Sequence, residues 1–133
     1  VIIGMSSAAR QRVSLDLLVR KDAGGRSRAF ARSVAIAWGM PHHSHELAWL
    51  VTEVLGHAWR ECQVPIRIVM RTLGGDDCAI TVLGRSRRPV AVLSAPSHAD
   101  GLLDAAGLTI VERQIGPTRM HQVTTRLGQG TVP

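Results

Sequence analysis

The chain has 133 residues, 45% of them apolar and 20% charged: the size of one domain, able to bury a core without metal or disulfide staples, and too apolar for a disordered chain. Its apolar runs are too short to span a bilayer, and Val1-Ile2-Ile3-Gly4-Met5 lacks the basic and long apolar regions of a secretory signal. The net charge of +6 invites a nucleic-acid partner, but aromatics make up only 3% and tyrosine is absent, so few rings can stack on bases.

Residues 1–12 read as a flexible arm. Val13, Leu15, Leu17 and Val19 alternate with Ser14, Asp16 and Leu18, which predicts a strand broken at Ala23-Gly24-Gly25. From about Arg26 to Trp38, Phe30, Val34, Ala37 and Trp38 recur at helical spacing with Arg28 and Arg32 on another face; Gly39 and Pro41 stop the helix. Ser44 is the expected N-cap of a second helix that runs to about Glu61, with Glu46 in its first turn. Leu47, Leu50, Val51, Val54 and Ala58 form its core stripe, and Trp49, Glu53 and His57 a second stripe beside it.

Beyond Pro65, Ile66 to Thr72 is rich in β-branched residues and predicts a strand; Leu73 to Asp77 reads as a hairpin turn and Cys78 to Leu83 as the return strand. Gly84 to Ser97 reads as a long loop, basic at Arg85-Ser86-Arg87-Arg88, then a short helix from Ala99 to Ala106 ended by Gly107. Two more strands, Leu108 to Ile115 and Thr118 to Leu127, flank a Gly116-Pro117 turn, and 128–133 is a frayed tail. Hairpins with grouped helices predict an α+β fold: a two-layer sandwich over 13–127, its mixed, mainly antiparallel sheet covered on one face by about three helices.

That order resembles the histidine-kinase-like ATPase (Bergerat, or GHKL) fold, in particular the small anti-sigma-factor serine kinases in their actinobacterial form, over Val13 to Leu127. Three stretches carry the resemblance. Glu46 to Ala58 is similar to the family's N-box helix, Ala79 to Pro89 to the strand entering its G1 box, and Asp100 to Gly107 to its G2 glycine turn. The resemblance puts Glu53 at the general-base position and His57 where the family has a magnesium-binding asparagine. It puts Leu83 where an aspartate accepts the adenine amino group, Gly84 beside it, Gly101 in the phosphate turn, and Trp49 on the pocket lining. Imidazole is a poor magnesium ligand, leucine accepts no hydrogen bond, and Asp100 next to Gly101 repels phosphate. ATP with magnesium is therefore expected to bind weakly or not at all.

Other readings stand beside these. Glu53 and His57 are a catalytic pair or an ordinary i,i+4 surface pair. His42, His43 and His45 with Glu46 are either zinc ligands or, the preferred reading, the polar loop leading into a helix, so no metal site is assigned. Cys62 and Cys78 fit no zinc pattern and are expected as two buried thiols in a cytoplasmic protein rather than a disulfide. The expected function is that of a divergent anti-sigma-kinase-like regulator acting by protein–protein binding. Its expected partner is a sigma factor or an anti-sigma antagonist, and it is expected to pair as a homodimer. The alternatives are a working ATP-dependent serine kinase with Glu53 as base, and a basic nucleic-acid-binding module using Arg85, Arg87 and Arg88.

Overall fold

A computed structural model of the chain describes residues 12–87, 101–105 and 108–128. Strand β1 (Arg12–Leu17) leads into helix α1 (Ala23–Ala37), a 3-10 turn (Pro41–His43) and helix α2 (Ser44–Glu61). Then come β2 (Cys62–Gly74), β3 (Asp77–Ser86), β4 (Gly101–Ala105), β5 (Leu108–Ile115) and β6 (Thr118–Arg126). The six strands form one sheet in the order β1-β2-β3-β6-β5-β4, with every neighbouring pair antiparallel. Both α-helices lie on one face of it, which makes the expected α+β two-layer sandwich.

Period-two alternation sorts the sheet. Ile66, Ile68 and Met70 of β2, Cys78, Ile80 and Val82 of β3, Ile110 of β5 and Val123 of β6 all face the helices and are buried. Leu47, Leu50, Val51, Val54 and Ala58 of α2 meet them, each fully buried, so the predicted stripe is the one the core uses. In α1 the buried stripe is Ala23, Ser27, Ala31, Val34 and Ala35; Ala37 is exposed, while Phe30 and Trp38 pack on the core partly buried. Small residues on that stripe let α1 lie close to α2.

Four sequence expectations are corrected. Ala23-Gly24-Gly25 forms the first turn of α1 and does not break β1; the break lies earlier, at Asp22 in the left-handed region (φ 61°). Burial of Ala23 and Ser27, whose Oγ donates to the Gly24 carbonyl at 2.9 Å, anchors that turn despite the glycines. Ser44 is not the N-cap: it is the first residue of α2, and its Oγ donates back to the Pro41 carbonyl at 2.6 Å across the 3-10 turn. Within the helix expected over 99–106, residues 101–105 are strand β4, paired with β5 from Gly101↔Glu112 to Ala105↔Leu108, so among the described residues the helical layer holds two α-helices instead of the expected three. A short apolar run fits either period, and here pairing with an existing strand decides it. Last, β3 continues through Ser86, so the expected loop from Gly84 begins inside a strand; its residues 88–97, Arg88 among them, lie outside the described residues.

Cys62 and Cys78 are free and buried at opposite ends of the β2–β3 pair, opposite Ser86 and Thr72 respectively. Burial is the main cause that pushes their thiols up, to about 11 and about 12. Among the described residues no helix is long and apolar enough to cross a membrane.

The register of β2 shifts between Gln63 and Ile66, where the Val64–Pro65 peptide bond is cis. Gly84 of β3 lies beneath this bulge: a Cβ there would stand 2.6 Å from Cys62 Cβ and 3.0 Å from both Cys62 Sγ and Ile66 Cγ1. Gly84→Ala must push two buried side chains apart. It is expected to lower the free energy of unfolding by about 1–3 kcal/mol, the usual range for overpacking, read as a lower urea midpoint.

Candidate functional site

The residues that the resemblance groups in one nucleotide pocket fall in three places. Trp49, Glu53 and His57 lie half-buried along one flank of α2. Glu46, on the same flank, accepts the Gly128 N–H just after β6 at 2.8 and 3.0 Å, so the flank is turned toward β6. Leu83 pairs with Arg67 and Met120 on the sheet face away from the helices. Gly84 faces the helices, but the space of its missing side chain is filled by Cys62 and Ile66. Gly101 is the first residue of the edge strand β4, opposite Glu112. The sheet itself thus stands between Leu83 and the Glu53–His57 flank.

The histidine-rich turn is a structural tie. His43 Nδ1 lies 3.4 Å from Glu46 Oε1 and its Nε2 3.8 Å from Asp76 Oδ1, joining the start of α2 to the β2–β3 turn. His42 and His45 are exposed. Among the described residues no three His, Cys, Asp or Glu side chains gather to hold a metal ion.

Two features escape the sequence reading. The first is a polar cluster inside the sandwich. His121 of β6 is fully buried, and its Nε2 lies 2.9 Å from Oε1 of Glu112, its cross-strand partner on β5. Arg119, 5% exposed, brings Nη2 to 3.7 Å from the same oxygen and donates from Nη1 to Gln114 Oε1 at 3.4 Å. Ser86 Oγ donates to that Gln114 oxygen at 3.1 Å. Burial lowers the His121 pKa, which Glu112 and Glu61 push back up and Arg119 pushes down. The neutral ring donates its Nε2 proton to Glu112, and its buried Nδ1 has no hydrogen-bond partner among the described residues. A signal for this cluster is visible in β6, where Arg119 and His121 share parity with the buried Val123 and Leu127. His121 and Arg119 are buried while the Glu112 side chain keeps 20% exposure, and the cluster orders the β5–β6 end of the core.

The second feature is the face of the sheet turned away from the helices. A shallow cavity of about 640 Å³ lies at one end of it, with Leu18, Pro65, Leu83 and Pro117 as apolar lining and Arg67 and Arg85 as cations. Arg67 is joined to Asp16 by hydrogen bonds of 2.7 and 3.2 Å. A smaller hollow of about 150 Å³ adjoins it through Leu83 and is lined by Arg12, Val69, Arg71, Thr81 and Gln122. The chain's four aromatic residues, Phe30, Trp38, Trp49 and Trp59, are all on the helical side, so this face has no ring to stack on a base.

Compared with models of known protein families, with curated proteins and with solved structures, the chain matches none.

His121 supplies a pH test. Its folded-state pKa lies below that of the unfolded chain, so the unfolded chain takes up a proton that the folded chain excludes. Stability from this source is complete above the unfolded histidine pKa and is lost as the pH falls through it toward the folded value. Between pH 7.5 and 5.5 the urea midpoint of the wild type is expected to fall, with a slope from His121 of up to about 1.4 kcal/mol per pH unit. His121→Gln keeps a donor for Glu112 but no titrating group, so its midpoint is expected to vary less over the same range.

Proposed function

We propose that the chain is a regulatory protein that acts in the cytoplasm by binding another protein, and that its ATP binding is weakened or lost. The observation that carries this reading is the separation of the expected pocket residues. A nucleotide kinase site needs the Glu53 flank and an adenine acceptor at position 83 on one cavity, and here they lie on opposite faces of the sheet. That separation speaks against the working serine kinase with Glu53 as base. A sheet face that carries no helix among the described residues, with Leu83 and Val69 between cations, suits a protein contact. Without aromatic rings on it, the same face suits single-stranded nucleic acid poorly. Two free buried thiols accord with a reducing compartment.

On the resemblance to anti-sigma-factor kinases, the partner is a sigma factor or an anti-sigma antagonist, and the chain pairs with a second copy. The protein is then a binding regulator that keeps the sandwich without the nucleotide chemistry.

Calorimetry with ATP and magnesium tests the reading. A micromolar site stripped of two interactions worth about 1–3 kcal/mol each falls to about millimolar, so no heat of binding is expected at micromolar concentrations. The Leu83→Asp, His57→Asn double variant is expected to gain none, because position 83 faces away from the helices. Low-micromolar ATP binding by the unaltered chain, or phosphate transfer to a protein serine, would overturn the proposal.

A further inference from the structure

Charged residues on the open face are matched across strands at two places and mismatched at a third. Asp16 stands opposite Arg67 and Asp77 opposite Arg126, each pair joined by two hydrogen bonds. Arg12 stands directly opposite Arg71. Like charges in that position destabilise a sheet, and among the described residues neither arginine has an acidic partner. The two do not merely project into water: together they line the 150 Å³ hollow that continues through Leu83 into the larger cavity. At the far end of that cavity Arg85 is likewise without an acidic partner among the described residues.

The floor between these cations is apolar or uncharged, formed by Leu83, Val69 and Thr81. Arg71 pairs with Ala79, so Arg71 and Arg85 lie about six residues of β3 apart, roughly 20 Å. The interior of a sheet has its backbone groups bonded within the sheet and offers none to a visitor. A segment lying across it must satisfy its own N–H and C=O groups, which a helix does. A helix covering about 20 Å has about 13 residues.

We propose that the open face docks an acidic amphipathic helix of a partner protein. One carboxylate seats between Arg12 and Arg71, a second meets Arg85, and the apolar side chains rest on Leu83. The inference rests on the protein-binding reading above and adds to it the surface and the chemistry of the partner. Charge complementarity selects the occupant: a carboxylate between Arg12 and Arg71 supplies the counter-ion that the sheet lacks there.

The test is fluorescence anisotropy on the full chain with a labelled helical peptide of about 14 residues, leucine on one face and glutamate on the other. Its glutamine counterpart and a single-stranded oligonucleotide of about 20 nucleotides serve as comparison probes. The glutamate peptide is expected to bind at least about tenfold more tightly than the glutamine peptide. Arg71→Glu is expected to weaken that binding by about tenfold or more, while raising the thermal midpoint, because Arg12 then has a carboxylate opposite. Loss of binding in a more stable variant cannot come from misfolding. Arg28→Glu, on the exposed side of α1, makes the same change in net charge and is expected to alter binding by less than about threefold.

Equal binding of the two peptides, or an equal loss in Arg28→Glu, would overturn the proposal. So would tighter binding of the oligonucleotide that Arg71→Glu abolishes, which would make the face a nucleic-acid surface. Self-association in light scattering that Arg71→Glu breaks would assign the face to a second copy, and overturn it likewise. These outcomes are independent of the ATP titration: failure here leaves protein binding to another surface, whereas low-micromolar ATP binding would sink the functional reading whatever the peptide does.

Discussion

The pairing of β3 with β6 decides what every other part of the structure can be. Val82 stands opposite His121 and Gly84 opposite Arg119, while Leu83, between them, pairs with Met120 on the other face. Strand side chains alternate with a period of two, so a slip of one residue would reverse the faces of the strand that moved, turning His121 and Arg119 of β6 to the open face or Leu83 of β3 into the core. The core does not allow that slip. Ile80 and Val123 are paired in the same register, both buried under α2, and moving them out would expose two β-branched side chains at about 1.5–3 kcal/mol each. The apolar set therefore fixes the parity, and the parity then buries one imidazole and one guanidinium whether or not the core gains by it.

Once placed there, those groups needed partners. Glu112 and Gln114 share their parity on β5, and Ser86 reaches Gln114 from β3. The result is a polar corner at one end of a mainly apolar sandwich. Buried polar groups of this kind are costly unless satisfied together. The other end of the core is closed more cheaply. Glu46, in the first turn of α2 where a carboxylate also suits the helix dipole, takes the Gly128 N–H and stands beside His43. The helix is thus tied to the end of β6 by a local charge and not by further apolar surface.

Apart from Ser44, which is its first residue and not its cap, the core stripe and C-terminal end of α2 were legible in the sequence, because the apolar stripe is long and strictly periodic. So were the hairpin β2–β3 and the last two strands, each with a turn signal between β-rich runs. The segment 101–105 was not: Leu102 and Leu103 in a five-residue stretch carry no period, and only pairing with β5 made it a strand. Ala23-Gly24-Gly25 misled for the opposite reason. Glycine weakens a helix by about 1 kcal/mol per residue, a weak local preference that packing of Ala23 and Ser27 overrides. Of the candidate site, the α2 flank was readable from spacing alone. The position of Leu83 on the far face was not, since a motif match names residues without naming which side of a strand they occupy. Arg12 and Arg71 were invisible for the same reason: they are 59 positions apart and become neighbours only through the β1–β2 register.

That register also explains how a like-charged pair can persist. The core facing β1 is carried by Leu17 at its end, with Val13 and Leu15 partly buried against it, and Ile66, Ile68 and Met70 across from them. Burial of these side chains holds β1 in place by more than two exposed arginines can oppose, since each side chain is worth about 1.5–3 kcal/mol when fully covered and an exposed charge pair less than about 1 kcal/mol. The sheet can therefore tolerate the mismatch, but nothing in the fold requires it. Four residues along the same strands, Asp16 and Arg67 show that the alternative, a complementary pair, fits this geometry. A position that folding leaves free, and that is occupied by the less stable choice, is where a demand other than folding is expressed.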